Sequence, residues 1–183
     1  ALAEVFASTE GVLFGLQRFG QVATPPCNYQ TTGNSGCDGG DVVVGIQSGN
    51  QAELALWCDG ICNLAGANPE LVALAPALTP LAGSLSVSRS YYTTFIGGDP
   101  LAGYRQDAVI LLTDGAETCN GDPPLEAGHL LDMGVRTFAI GIGLVPGSSE
   151  AAALDEIVSC GGTGPVARYC ESAEYSGIVD SLN

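Results

Sequence analysis

The hydrophobic pattern is clearest in the second half of the chain. Ala108-Val109-Ile110-Leu111-Leu112 is an unbroken apolar run, bounded by Asp107 and by Thr113-Asp114-Gly115. A run without alternation between polar ends predicts a strand buried on both faces, as in the middle of a parallel sheet. Val135 to Gly143 is a second apolar strand, and Val166 to Cys170 a short third. Helical signals separate them. Asp122-Pro123 opens a helix that runs to Met133 and is closed by Gly134. A capping side chain followed by proline suits a helix start, and glycine suits its end. Ser148-Ser149-Glu150 starts another helix, ending at Cys160-Gly161-Gly162, and Ser172 caps a last one to Leu182. This alternation predicts a parallel sheet with helices on both faces.

The first half is less regular. Leu2, Val5 and Phe6 share one face at helical spacing, so Ala1 to Thr9 reads as the end of a helix that has no cap before it. Val12 to Phe19 and Val42 to Gln47 read as strands, separated by a Gly-, Asn-, Ser-, Thr- and Pro-rich loop from Thr24 to Asp41. Gln51 to Trp57 is a short helix, Cys58 to Asn68 an irregular loop, and Pro69 to Ala77 one or two helical turns. Thr79-Pro80 then repeats the cap-plus-proline signal and opens a helix to about Phe95, ended by Gly97-Gly98-Asp99-Pro100. Without an internal repeat, a low-complexity tract or a linker, residues 1–183 are expected to form a single domain.

Composition narrows the function classes. The chain has 183 residues, and its hydrophobic fraction of 46% is enough for a sizeable core. Its formal net charge is −15, and all five basic residues are arginine. Five scattered arginines cannot assemble a basic patch, which excludes phosphate-backbone binding and attraction to an anionic membrane. An acidic surface suits an exported protein and divalent-cation binding. Seven cysteines in a lysine-free chain point to an oxidising compartment: extracellular, cell-surface or periplasmic. The most apolar stretch, Leu71 to Leu85, is broken by Pro76 and Pro80 and is too short to span a bilayer. An export signal would lie upstream of Ala1.

Asp114 leaves the core at the carboxyl end of the most buried strand, where open α/β sheets place their ligands. Taken alone, an aspartate before Gly115 is more often an ordinary turn residue. Catalytic constellations are missing, and no enzyme is expected. His129 lies mid-helix without a Gly-x-Ser-x-Gly elbow elsewhere. Gly141-Ile142-Gly143 with Gly147 does not fit a dinucleotide fingerprint. One histidine and no Cys-x-x-Cys argue against zinc. Asp38 and Asp41 in a glycine-rich loop lack the twelve-residue calcium pattern, so that segment reads as a flexible loop.

Three features together resemble a von Willebrand factor A domain, whose best-known relative is the integrin I domain. They are the Thr113-Asp114-Gly115 strand end, the Thr79-Pro80 helix start upstream, and the Val135–Gly143 strand downstream. The similarity runs from Phe14-Gly15-Leu16 through Gly161-Gly162-Thr163 to the final helix. The version with Thr113-Asp114-Gly115-Ala116-Glu117-Thr118-Cys119 looks like exported bacterial members. The resemblance implies a doubly wound, Rossmann-like, mostly parallel sheet with one antiparallel edge strand, here Val42–Gln47. It implies binding, with a divalent cation (Mg2+, or Ca2+ or Mn2+) at the carboxyl edge coordinated by an acidic group of a protein partner. By position, the family's metal-binding threonine is Thr79 and its aspartate Asp114. A hydroxyl, a carboxylate and waters suit the hard oxygen shell of magnesium. Without the resemblance Thr79 is an ordinary helix cap.

The pattern also breaks. The family's Asp-x-Ser-x-Ser loop is absent, and Ser84-Leu85-Ser86-Val87-Ser88, inside the helix after Thr79, reads as helix surface with small packing residues. The family's first strand, central between Val12–Phe19 and Asp107–Thr113, is absent too. An empty slot would leave rows of backbone groups unpaired, at about 1–3 kcal/mol for each buried one. The strand therefore comes either from upstream in the same protein or from a separate polypeptide that inserts it. Glu117 and Asp122 read as a solvated loop residue and a helix cap. Local pairing of Cys27 with Cys37, Cys58 with Cys62 and Cys160 with Cys170 is the simplest disulfide scheme, leaving Cys119 for a partner upstream. Two functions follow as expectations. One is a metal-dependent protein-binding module of an exported bacterial protein. The other is a structural or assembly module of the same fold without a working metal site.

Overall fold

The computed structural model describes residues 2–19, 37–59, 71, 78–165 and 168–170, the last three by backbone alone. The chain is mixed α/β. In order, the elements are α1 (Leu2–Ser8), β1 (Leu16–Arg18), β2 (Asp41–Val44), α2 (Gln51–Leu56), α3 (Leu81–Gly98), β3 (Asp107–Thr113), α4 (Pro123–Asp132), β4 (Val135–Ile142), α5 (Ser149–Cys160) and β5 (Arg168–Cys170). The expected turns over Pro69–Ala77 and the last helix from Ser172 lie outside the described residues, apart from Leu71.

The strands form two sheets. β3, β4 and β5 are parallel neighbours in that order, with Asp107 opposite Val135 and Thr113 opposite Gly141. β1 and β2 are antiparallel, so the Val42–Gln47 segment does supply an antiparallel strand. The single continuous sheet expected from the sequence is not what the described residues show, because β1 and β3 do not pair. Nor does β1 extend over all of Val12–Phe19. The buried Asn50 side chain donates to the carbonyls of Phe14 and Gly45, both at 2.8 Å, which diverts Phe14 from a ladder. A bulge between Leu16 and Gln17 interrupts the pairing further.

Each sheet has its own apolar cluster. Leu81 and Leu85 of α3, Leu130 of α4, and Leu154 and Ile157 of α5 pack on Leu111, Val135 and Ala139 of the parallel sheet. Burying each of these large side chains contributes about 1.5–3 kcal/mol. Phe6, Val44 and Leu54 form the second cluster, with Phe14, Leu16 and Trp57 against it. The opposite face of the parallel sheet departs from expectation. Ile140 is 2% exposed there, but Ile110 and Phe138 are 44% and 43% exposed, so β3 is not buried on both faces along its whole length.

Helix α3 joins the two halves. The Gln17 amide of β1 donates to the Ser84 carbonyl at 2.8 Å, and its oxygen accepts from the Ser88 hydroxyl at 2.7 Å. Ile46, just past β2, donates its backbone N–H to the Tyr91 hydroxyl at 2.7 Å. Tyr92 donates to the Ala108 carbonyl of β3 at 2.8 Å. The buried Ser84 and Ser88 are thus packing and bonding residues, which is why a serine run tolerates this position. A disulfide between Cys37 and Cys119 makes the second connection, from the segment before β2 to the loop after β3.

Candidate functional site

At the carboxyl end of β3 the chain turns sharply. The buried Thr113 hydroxyl donates to the Gly115 carbonyl at 2.9 Å and accepts from the Gly115 N–H at 3.2 Å. These bonds fix the turn, and the intervening Asp114 is exposed. The segment that begins α3 lies alongside. Thr79 donates its N–H to the Thr118 hydroxyl at 2.6 Å, and Thr118 returns its own N–H to the Thr79 carbonyl at 3.1 Å. A Cβ added at Gly115 would sit 3.7 Å from the Thr79 hydroxyl oxygen. Thr79 and the Asp114–Gly115 turn, 35 positions apart by numbering (114 − 79), are therefore neighbours at the carboxyl edge of the parallel sheet.

Thr79 is not the helix cap. Pro80 occupies that position, and no side chain of its own closes the helix start. Glu117 does so from the other loop. Its carboxylate accepts the Ala82 N–H at 2.7 Å and the Cys119 N–H at 2.6 Å. The expectation of a merely solvated Glu117 is therefore corrected. A carboxylate at a helix amino end is favoured by the unpaired N–H groups and the helix dipole. Gly121 fits the same contact, since a Cβ there would collide with Ala82. Asp122 caps α4 as expected, accepting from Leu125 N–H at 3.1 Å.

The disulfide pattern also needs correction. Cys37 bonds Cys119, not Cys27. Cys160 keeps its thiol, so the pair Cys160–Cys170 is not formed, and the Cys58–Cys62 pairing falls on a residue outside those described. Cys27 and Cys62 lie outside the described residues, as does the Cys170 side chain. The bridge anchors the Cys37–Gly40 segment against α3, where a Cβ on Gly39 would collide with the Gly83 backbone. Glycine is required at position 39 for the backbones to approach, and a Cβ at Gly83 would meet the Gly39 Cα at 3.1 Å, a tight contact.

The edge thus offers two hard oxygen donors, Thr79 and Asp114, of the type magnesium accepts. Among the described residues, no three of His, Cys, Asp and Glu converge as a ready metal cluster. His129 is elsewhere, on α4, with Nδ1 3.7 Å from Glu126, which also holds Arg89 at 3.0 Å. Sequence reasoning singled out Thr79 and Asp114, and the fold brings Thr79 beside the Asp114–Gly115 turn. It read Glu117 as solvated and gave Thr118 no role, because their partners are 35 and 39 positions away.

No protein-family model and no curated protein matches the chain. Two solved structures share the fold of this mixed α/β chain. One is an aerotolerance-related membrane protein from Bacteroides fragilis, with multiple mutations to serines, at TM-score 0.62 and 14% identity, covering 99% of this chain and 81% of that one. The other is BatB from Bacteroides thetaiotaomicron, a conserved hypothetical protein, at TM-score 0.62 and 13% identity, covering 98% and 81%. At such identities the likeness is one of fold. Among the described residues, no helix is long and apolar enough to cross a membrane.

Proposed function

We propose that this chain is a von Willebrand factor A-like binding module of an exported bacterial protein, and that it holds a partner through a divalent cation at Thr79 and Asp114. The observation that carries the reading is the adjacency of the Thr79 hydroxyl to the Asp114–Gly115 turn, at the carboxyl edge of a parallel sheet. Those two residues would hold the ion. The cation would supply a positive centre for an acidic group of the protein partner, which an acidic chain could not otherwise attract. Two protein oxygens make a weak site, so further ligands come with a strand lying between β1 and β3, from elsewhere in the same polypeptide or from another chain. The open relation of β1 to β3 supports that placement. The Cys37–Cys119 disulfide supports an oxidising compartment, and the neighbour from Bacteroides fragilis is a membrane protein by name.

Titration of the chain with Mn2+, followed by the EPR signal of the unbound ion, tests this reading. The expected result is one weak site in the wild type that Asp114→Asn and Thr79→Val both abolish. Unchanged binding by Asp114→Asn would overturn it. The full engagement of Glu117 in backbone hydrogen bonds favours a second reading, a structural or assembly module without a working metal. Partner binding that survives EDTA would select it.

A further inference from the structure

Both carboxylate oxygens of Glu117 are committed inside the protein. One accepts the Ala82 N–H in the first turn of α3, and the other the Cys119 N–H of its own loop. Thr118 adds two bonds to Thr79, through its hydroxyl and its N–H. Three of these contacts tie residues 79–82 to residues 117–119, and the fourth, to the Cys119 N–H, closes the second segment on itself. Cys119 is also anchored through its sulfur to Cys37.

We infer that Glu117 is a positioning residue for the candidate cation site, fixing the Thr79 hydroxyl beside the Asp114–Gly115 turn. This role rests on the reading of Thr79 and Asp114 as cation ligands. The chemistry favours positioning over ligation. Hydrogen bonds from N–H groups to an ionised carboxylate are short and strong, and both oxygens here are taken by donors at 2.6–2.7 Å. A cation would have to displace one of them. Proline at position 80 leaves the start of α3 without a capping side chain, and Glu117 supplies the missing acceptor from a distant loop. Because Thr79 lies three positions before Ala82, a hold on Ala82 limits where Thr79 can sit. An ordered pair of ligands leaves less freedom to be lost when the ion binds.

Glu117→Gln tests the role, because it keeps size while replacing one acceptor oxygen by a donor. Amide hydrogen exchange at Ala82 and Cys119 is expected to quicken about tenfold or more, and the Mn2+ dissociation constant to rise about tenfold, a change of about 1.4 kcal/mol. Glu117→Asp keeps the charge and shortens the reach, and it should move both readouts the same way. Asp122→Ala is the control: it removes a cap from α4 in the same region but touches neither Thr79 nor Ala82. It should leave both readouts unchanged. Unaltered exchange at Ala82 and Cys119 in Glu117→Gln overturns the clip. Faster exchange with unaltered Mn2+ affinity overturns its positioning role. Mn2+ binding that ignores Asp114→Asn overturns the cation reading instead, and the exchange measurement still decides whether Glu117 holds the two loops together.

Discussion

The Cys37–Cys119 bridge is a covalent tie between the half of the chain that carries β1 and β2 and the half that carries the parallel sheet. Replacing both cysteines by serine removes it. The bridge closes a loop with a sequence separation of 82 residues. The loop-closure relation then gives a loss of about 15 cal/mol/K from the unfolded ensemble, or about 4.5 kcal/mol at 25 °C. Much of a small domain's stability of about 5–15 kcal/mol would go with it. Urea unfolding followed by two probes measures the effect. Fluorescence of Trp57, the single tryptophan, reports the cluster under β1 and β2, where Arg18 lies over its ring at 5.2 Å. Far-ultraviolet circular dichroism reports mainly the longer helices α3, α4 and α5. In the oxidised wild type the two transitions should coincide. In Cys37→Ser/Cys119→Ser both should move to lower urea, and the Trp57 transition should come first. A loss below about 1 kcal/mol with coincident probes would refute the loop-closure reasoning, since it implies two halves already held together without the bridge.

The remaining predictions concern α3, the two sheet faces and pH. Tyr92→Phe leaves the Ala108 carbonyl of β3 without its hydroxyl donor and should cost about 1–2 kcal/mol by urea unfolding. Burial, the nearby Asp107 and then Tyr91 push the Tyr92 hydroxyl well above its ordinary value of 10.0. The folded chain therefore keeps that proton where the unfolded chain releases it. Stability from Tyr92 is present below pH 10.0 and lost as pH rises beyond it, and Tyr92→Phe should flatten that alkaline decline. Burial and Asp99 likewise raise Asp107 above 3.8, against the pull of Arg105. Its contribution is fully present below pH 3.8 and declines as pH rises above it, so Asp107→Asn should gain stability relative to wild type across weakly acid pH. Leu130→Ala, in the sealed core, should cost about 2–5 kcal/mol. Ile110→Ser on the open face should cost less than about 1 kcal/mol, and a large loss would mean that face is covered.

Much of the second half was legible because its signals are local. β3 spans the apolar run Ala108–Leu112 with its polar ends Asp107 and Thr113, α4 begins at the proline after Asp122, and α5 ends at Cys160. Thr79 and Asp114 were singled out through the resemblance, and the nearness of Thr79 to the Asp114–Gly115 turn follows from where β3 ends and α3 begins. The illegible parts are long-range. No local pattern shows that Asn50 removes Phe14 from a ladder, or that Glu117 closes α3 in place of Thr79. The Cys27–Cys37 pairing failed for the same reason. Proximity in sequence favoured Cys27 for Cys37, while the fold brings Cys119 to it from the next sheet. Exposure of Ile110 and Phe138 was missed because an unbroken apolar run says nothing of what packs on it.

The most direct test is crystallographic: crystals grown with Mn2+, with an anomalous difference map at the manganese edge. The binding reading predicts a peak about 2.0–2.2 Å from an Asp114 carboxylate oxygen and from the Thr79 hydroxyl, beside an added strand between β1 and β3. A map with no peak at Thr79 and Asp114, while manganese is ordered elsewhere in the crystal, would contradict it and leave an assembly module whose contacts lie on another surface.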